Sequence, residues 1–286
     1  MKNNEIKNLY IVATPIGNIN EISSLAINSL KENTHFFCED TRVTKKLFNL
    51  LNISLVNKHF YCFNQNNEEE FIKNFNFASN QYCLLSDAGY PLLSDPGFSL
   101  VNHFINNNWN IKVVNGPCSI MHALVVSGFP TQKFIFAGFL NHKEKIKKQE
   151  LIHFNNYKNT IIIFESIHRI KETLKLIYQI FDHNKKICIA RELTKINETI
   201  IRVDIKNVLT VPIVEKGEFV IVIDNNCYEN TKKENEKMDF KMILNELEML
   251  LKKGEQINVA CKMVAYKHNL KKNVVYNFWQ QQKNWI

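Results

Sequence analysis

Apolar residues along the chain alternate between short unbroken runs and stretches spaced by three and four. LYIVAT at 9–14 is of strand length, PIGN breaks it, and residues 22–30 then carry helical spacing. Residues 35–38 predict a second strand that ends at EDTR, before an amphipathic stretch to Leu51. The runs at 82–85 and 111–114 predict strands on either side of a helix over 96–107, and NGPCS at 115–119 turns into a helix over 120–127. Such alternation predicts α/β layers with a mainly parallel sheet. After GFP at 128–130 the pattern restarts, with strands predicted at 134–139, 160–165, 186–190 and 218–223 and a basic stretch, HKEKIKKQE, between the first two.

The segment 227–239 is polar and charged and reads as a linker. Beyond it, Phe240, Ile243, Leu244, Leu247, Leu250 and Leu251 keep helical spacing until Gly254 stops them. Two further helical faces follow, around Val259–Val264 and over 271–283. The expected organisation is an α/β domain at 1–117, a second at 118–228 and three helices at 238–286. The last part reads either as a helix-turn-helix unit or as a plain docking bundle.

The loop SDAGYPLLSDPG at 86–97 leaves a buried strand and leads into a helix. Pro96 suits the first turn of a helix capped by Ser94 or Asp95, and Gly89 permits close approach of another backbone or a ligand. In parallel sheets such turns lie at the carboxyl ends of strands, where ligands bind, although an ordinary connecting loop has the same composition.

Length and composition narrow the class. The chain has 286 residues, 45% of them hydrophobic, which suffices for one large core or several smaller ones. No run approaches a membrane span, and no basic-then-apolar segment opens the sequence. Seven scattered cysteines without a C-x-x-C pair predict reduced thiols and a cytoplasmic setting. The net charge is +8, and from Glu229 onward 11 Lys face 7 acids, so half of the excess, +4, lies in that last segment. Such a balance suits a nucleic-acid partner and equally a solvated lysine-rich surface.

Several chemistries are absent from the pattern. The eight glycines never form G-x-G, which removes a dinucleotide fingerprint and a P-loop. Histidines and cysteines show no zinc spacing, and there is no G-x-S-x-G elbow. What remains is polar clusters directly after strands: TPIGN, EDTR, SDAGYPLLSDPG, NGPCS, ESIHR and RELTK. Each alone is also what helix capping or surface pairing produces. Together they place acids, guanidiniums and loop amides at one rim of a sheet.

In that order, with GFL and KGEFVIVI, these motifs resemble the ribosomal RNA small-subunit methyltransferase I family, of the wider tetrapyrrole-methylase fold group. The resemblance runs from about residue 9 to 223, and the three-helix tail is similar to that family's C-terminal domain. It implies two α/β domains with S-adenosylmethionine in the cleft between them, and 2′-O-methylation of a cytidine in the decoding region of 16S rRNA. The partner would be 16S rRNA or the 30S subunit, and this fold group commonly forms homodimers.

Carried over by motif, Pro15, Ile16, Asp87, Ala88, Gly89, Tyr90, Leu93, Ser119, Ile120, Glu165 and Leu193 would contact the cofactor. The loop around Gly89 would do so by its backbone. Tyr90 departs from the family's usual Thr, so its ring must turn away from the cofactor or reshape the contact. Asp40 and Glu165 are the candidate proton acceptors, because a ribose hydroxyl is a poor nucleophile and benefits from a base. Asn18, Arg42, His168, Arg169, Arg191, Glu192 and Lys195 are candidates for holding RNA. Either acid would equally serve as the partner of a neighbouring arginine. Two rivals remain at this point: methylation of a small corrin-like substrate on the same fold, and an RNA-binding protein that has kept the fold without its chemistry.

Overall fold

The computed structural model describes residues 6–64, 67–226, 240–268, 270 and 272–283. The linker at 227–239 and Lys271 lie outside the described residues. The chain divides into two compact units, 1–227 and 228–286.

In chain order the first unit contains β1 (Asn8–Val12), α1 (Ser24–Glu32), β2 (His35–Cys38), α2 (Thr41–Leu50), β3 (His59–Cys62), α3 (Glu68–Asn74) and β4 (Gln81–Leu85). It continues with α4 (Phe98–Asn106), β5 (Asn110–Val114), α5 (Ser119–Ser127), β6 (Phe134–Phe139), α6 (Glu144–Asn155), β7 (Thr160–Glu165), α7 (Ile170–Ile180), β8 (Lys186–Arg191), β9 (Thr199–Asp204) and β10 (Phe219–Ile223).

Two five-stranded sheets result. The first has the order β3-β2-β4-β1-β5 and is parallel throughout. Leu9, Val12, Phe36, Phe37, Cys83 and Leu84 are buried because helices cover both faces of its central strands. The second has the order β6-β7-β10-β8-β9. Only β6 and β7 run parallel there, while β7–β10, β10–β8 and β8–β9 are antiparallel. The parallel expectation therefore describes the first sheet and not the second. Residues 199–204 return beside β8 as an edge strand without a crossover helix, which reverses the chain's direction.

The predicted capping of α4 is also corrected. The helix begins at Phe98 with Gly97 as its N-cap residue, and neither Ser94 nor Asp95 caps it. Glu68 from α3 does so instead, its Oε1 accepting from the Ser99 and Leu100 amides at 2.7 and 3.2 Å. A carboxylate at that end also suits the helix dipole.

The second unit consists of α8 (Phe240–Lys252), α9 (Ile257–Lys267) and α10 (Lys272–Lys283). Ile243, Leu247, Ala260, Cys261, Val264 and Val275 form its core, against which Tyr276 and Trp279 pack. Two of the aromatic residues in the last helix are thus core-packing side chains.

Candidate active site

In a parallel sheet every β-to-α loop emerges at the same edge, so residues distant in sequence share one rim. Here the loops after β1, β2, β4 and β5 form one wall of a cavity of about 460 Å³. The opposite wall comes from the ends of β6 and β7, the loop after β8 and the start of β10. Ile16, Asp87, Ala88, Gly89, Tyr90, Leu93, Ser119, Ile120, Glu165 and Leu193, all candidates from the motifs, line this cavity. Pro15, Asn18, Asp40, Arg42, His168, Arg169, Arg191, Glu192 and Lys195 do not.

The two walls meet through loop backbone. The Asn18 amide donates to Thr194 Oγ1 at 3.1 Å. Gly17 is required by this approach, since a Cβ there would lie 2.5 Å from Lys195 Cγ and 3.0 Å from the Leu193 carbonyl oxygen. Within the first wall, Gly89 has φ +78° and pairs with Thr14 in both directions, at 2.8 and 3.1 Å. Its carbonyl also accepts from the Ser86 hydroxyl. Both polar groups of Gly89 thus have protein partners, so backbone donors for a ligand would come from its neighbours in the loop. Its contribution is the left-handed geometry that a side chain would strain.

Tyr90 resolves the substitution noted in the sequence. Its hydroxyl donates to Asn115 Oδ1 at 3.2 Å and accepts from the Gly116 amide at 3.1 Å. The ring thus links the loops after β4 and β5 while one side faces the cavity.

Both candidate proton acceptors are occupied. Asp40 caps α2 and is clasped by Arg42, whose Nη2 lies 2.6 Å from Oδ2. Hydrogen bonds from Arg42 hold its carboxyl down at about 2, which makes it a poor base. Glu165 is fully buried and accepts from the Ser166 amide, Arg169 Nε and the Thr173 hydroxyl at 2.7, 2.8 and 2.5 Å. It serves as a buried anchor.

Several cations expected to hold RNA have the same fate. Arg169 reaches the Leu140 carbonyl as well as Glu165. Arg191 is buried and donates to the Lys216 and Asn197 carbonyls and to Thr199 Oγ1. Lys195 bridges Glu192 and Glu218 at 2.8 and 2.9 Å. Glu192 also accepts from the Glu218 amide and so shapes the loop. Arg42, with its side chain 89% exposed, and the exposed His168 remain at the surface.

The cavity also contains residues that the motifs did not single out, among them Glu39, Asp95, Cys118, Phe139, Phe164 and Glu218. Glu39, Asp87, Asp95, Glu165 and Glu218 give the lining five acids from four segments, and no Lys, Arg or His among the described residues joins them. Burial first raises the carboxyls of Glu39 and Asp87 above the ordinary range, helped by the charges of Asp87 and Asp40 on Glu39 and of Asp40 on Asp87. The signal was present in EDTR and SDPG, whose acids include Glu39 and Asp95.

Comparison with known proteins now sets the class. Residues 8–209 match the family described as Tetrapyrrole (Corrin/Porphyrin) Methylases. Uroporphyrin III C-methyl transferase from Thermus thermophilus shares the fold, with a TM-score of 0.53 at 15% identity over 77% of this chain and 98% of that one. Within that class the chain belongs to the ribosomal RNA small subunit methyltransferase I family. It is 40% identical to the Mycoplasma genitalium member over 96% of this chain and 99% of the relative. To the Bacillus subtilis member it is 33% identical over 94% and 92%.

Proposed function

We propose that this protein transfers a methyl group from S-adenosylmethionine to the ribose 2′-hydroxyl of a cytidine in the decoding region of 16S rRNA, with the rRNA or the 30S subunit as substrate. The observation that carries the reading is the sign of the cavity. The chain as a whole has a net charge of +8, yet among the described residues its cavity is lined by acids without a basic side chain. Such a site favours a cationic ligand over a phosphate.

The donor set fits S-adenosylmethionine, which carries a sulfonium and an ammonium. Ile16, Ile120, Phe164, Leu193 and Val220 offer apolar surface for its adenosine, and Glu39, Asp87 and Asp95, which hold no ion pair among the described residues, offer charge for its cationic end. When bound, that group supplies an electrophilic methyl carbon. The residues of this chain hold and orient the reactants, which supports much of the rate of an in-line displacement. The family supports rRNA as the acceptor, since curated members carry ribosomal RNA small subunit in their names.

In this reading 1–117 and 118–228 are the two domains that flank the cofactor, and 238–286 assists with RNA. The test is mass spectrometry of nucleosides from 16S rRNA incubated with the protein and S-adenosylmethionine. A 2′-O-methylcytidine that appears only with the protein supports the reading. A base-methylated nucleoside as the sole product, or labelled methyl in a tetrapyrrole but not in 30S subunits, overturns it.

A further inference from the structure

Asp95 lies on the cavity wall between Leu92 and Gly97, in the loop that precedes α4. Its ordinary task at this position would be to cap that helix, and Glu68 already does so. The backbone around it is held in sparsely populated geometry, with φ +72° at Leu92 and +69° at Ser94. Strain of this kind persists where surrounding structure fixes a side chain in place. A Cβ on Gly97 would lie 2.9 Å from Leu84 Cδ2, so the turn is also pressed against the sheet. No cation among the described residues joins Asp95 in the cavity lining. The charges that act on it are those of Glu39 from the end of β2, Asp87 from its own loop and Glu218 from the turn before β10.

We propose that Asp95 is the proton acceptor for the hydroxyl that this enzyme methylates, which rests on the methyltransfer reading above. Unlike Asp40, it has no guanidinium among the described residues clasping it, and unlike Glu165 it is not saturated by three protein donors. Burial first, and then the neighbouring acids, push its carboxyl up to about 7. A base tuned near neutral pH combines adequate ionisation with a useful affinity for the proton.

The chemistry balances on this residue. The acceptor oxygen forms its bond to the methyl carbon while the carbon–sulfur bond breaks with its electron pair left on sulfur. The proton of that oxygen passes to an Asp95 carboxylate oxygen and later to water. Charge reinforces the order of events. A cation beside Asp95 favours its ionised form before transfer, and loss of that positive charge raises its proton affinity as the proton arrives.

The test uses the full chain with S-adenosylmethionine. Calorimetric titration in two buffers of different ionisation heat counts the protons released on binding. At about pH 7 the wild type is expected to release a measurable fraction of a proton and Asp95→Asn none, with affinity within about tenfold of wild type. Single-turnover methylation of 30S subunits is expected to fall at least about a hundredfold in Asp95→Asn and to recover in part in Asp95→Glu. The wild-type rate should rise through a midpoint below neutral pH, drawn down by the bound cation, that Asp95→Asn lacks. Equal proton release by the two proteins, or a variant rate within about threefold of wild type, overturns the assignment. If Asp95→Asn does not fold, a wild type that releases no proton at any value between about pH 6 and 8 overturns it as well. Failure of the wild type to methylate rRNA ribose would refute the methyltransfer reading instead, while the calorimetric arm still judges Asp95.

Discussion

Arg169 Nε sits 2.8 Å from Glu165 Oε1, one helical turn apart in sequence across the junction of β7 and α7. Because the carboxylate is fully buried, this pair fixes where β7 ends and where the cavity wall begins. Removing one partner of a buried pair leaves the other charge uncompensated. Arg169→Ala should therefore lower unfolding free energy by about 3 kcal/mol, read by urea denaturation. It should leave the salt dependence of rRNA binding unchanged. A shallower salt slope without loss of stability would return Arg169 to the role of phosphate contact.

Gly89 yields a sharper test of the cofactor loop. A β-branched residue at φ +78° is strained, and a Cβ would lie 3.2 Å from Ile16 Cγ2 on the cavity wall. Gly89→Val should abolish measurable S-adenosylmethionine binding while far-UV circular dichroism shows retained secondary structure. Placing a side chain in left-handed geometry costs about 1–2 kcal/mol, which a domain of this size survives. Unchanged affinity would reduce the loop to a structural turn.

The Tyr90 hydroxyl ties the 86–97 loop to the turn at Asn115 and Gly116. Tyr90→Phe leaves the Gly116 amide without that acceptor and should cost about 1–2 kcal/mol. The 86–97 loop lines the cavity and the turn leads into Cys118 and Ser119 on its wall, so a moderate loss of cofactor affinity should accompany a lower melting temperature. A variant with wild-type values for both would show that the two loops are held by backbone alone.

Much of this was legible in the sequence, for reasons that differ by element. TIIIFE matches β7 at its observed bounds because a strand buried between two neighbours needs an unbroken apolar run, and FIFAGF matches β6 by its apolar run although that strand is a half-exposed sheet edge. HFYC and TIIRVD became the edge strands β3 and β9, where one face meets solvent and the run is mixed. The helix α6 was hidden by its charges. Lys147 within HKEKIKKQE is fully buried and paired with Glu172 at 2.9 Å, so an apparent polar position belongs to the inner face. At the site, sequence order located the right loops. It could not separate Glu39 from Asp40, or tell Asp95 from a helix-capping acid, because those roles depend on where Arg42 and Glu68 reach.

Asp95 also predicts how stability depends on pH. Its carboxyl titrates near 7 in the folded protein against an ordinary value of 3.8. Between those values the folded protein binds more protons than the unfolded chain, so this group's contribution falls as pH rises through the window. Asp95→Asn removes that loss. Its melting temperature should match wild type below about pH 4 and exceed it by a few degrees above about pH 7. An equal or lower melting temperature at the upper pH would mean that the cavity field does not act on this residue.

The C-terminal unit is expected to contribute RNA affinity without chemistry. The segment from Glu229 holds +4 of the net +8 charge, while its apolar residues form a core of their own around Leu247, Cys261 and Val275. Tyr276 and Trp279 pack against that core, so stacking on bases falls to other side chains and the lysines carry the electrostatic contact. Each phosphate neutralised by a lysine releases condensed counterions, and affinity then falls steeply with salt. Truncation after residue 237 should weaken rRNA binding and flatten its salt slope, measured by filter binding across a salt series. Affinity for S-adenosylmethionine should stay near that of the full chain, because every residue that lines the cavity lies before residue 221. A truncated protein that keeps the full salt slope would reassign the helices to packing or dimerisation. Loss of cofactor binding on truncation would show that the first unit depends on them for its fold.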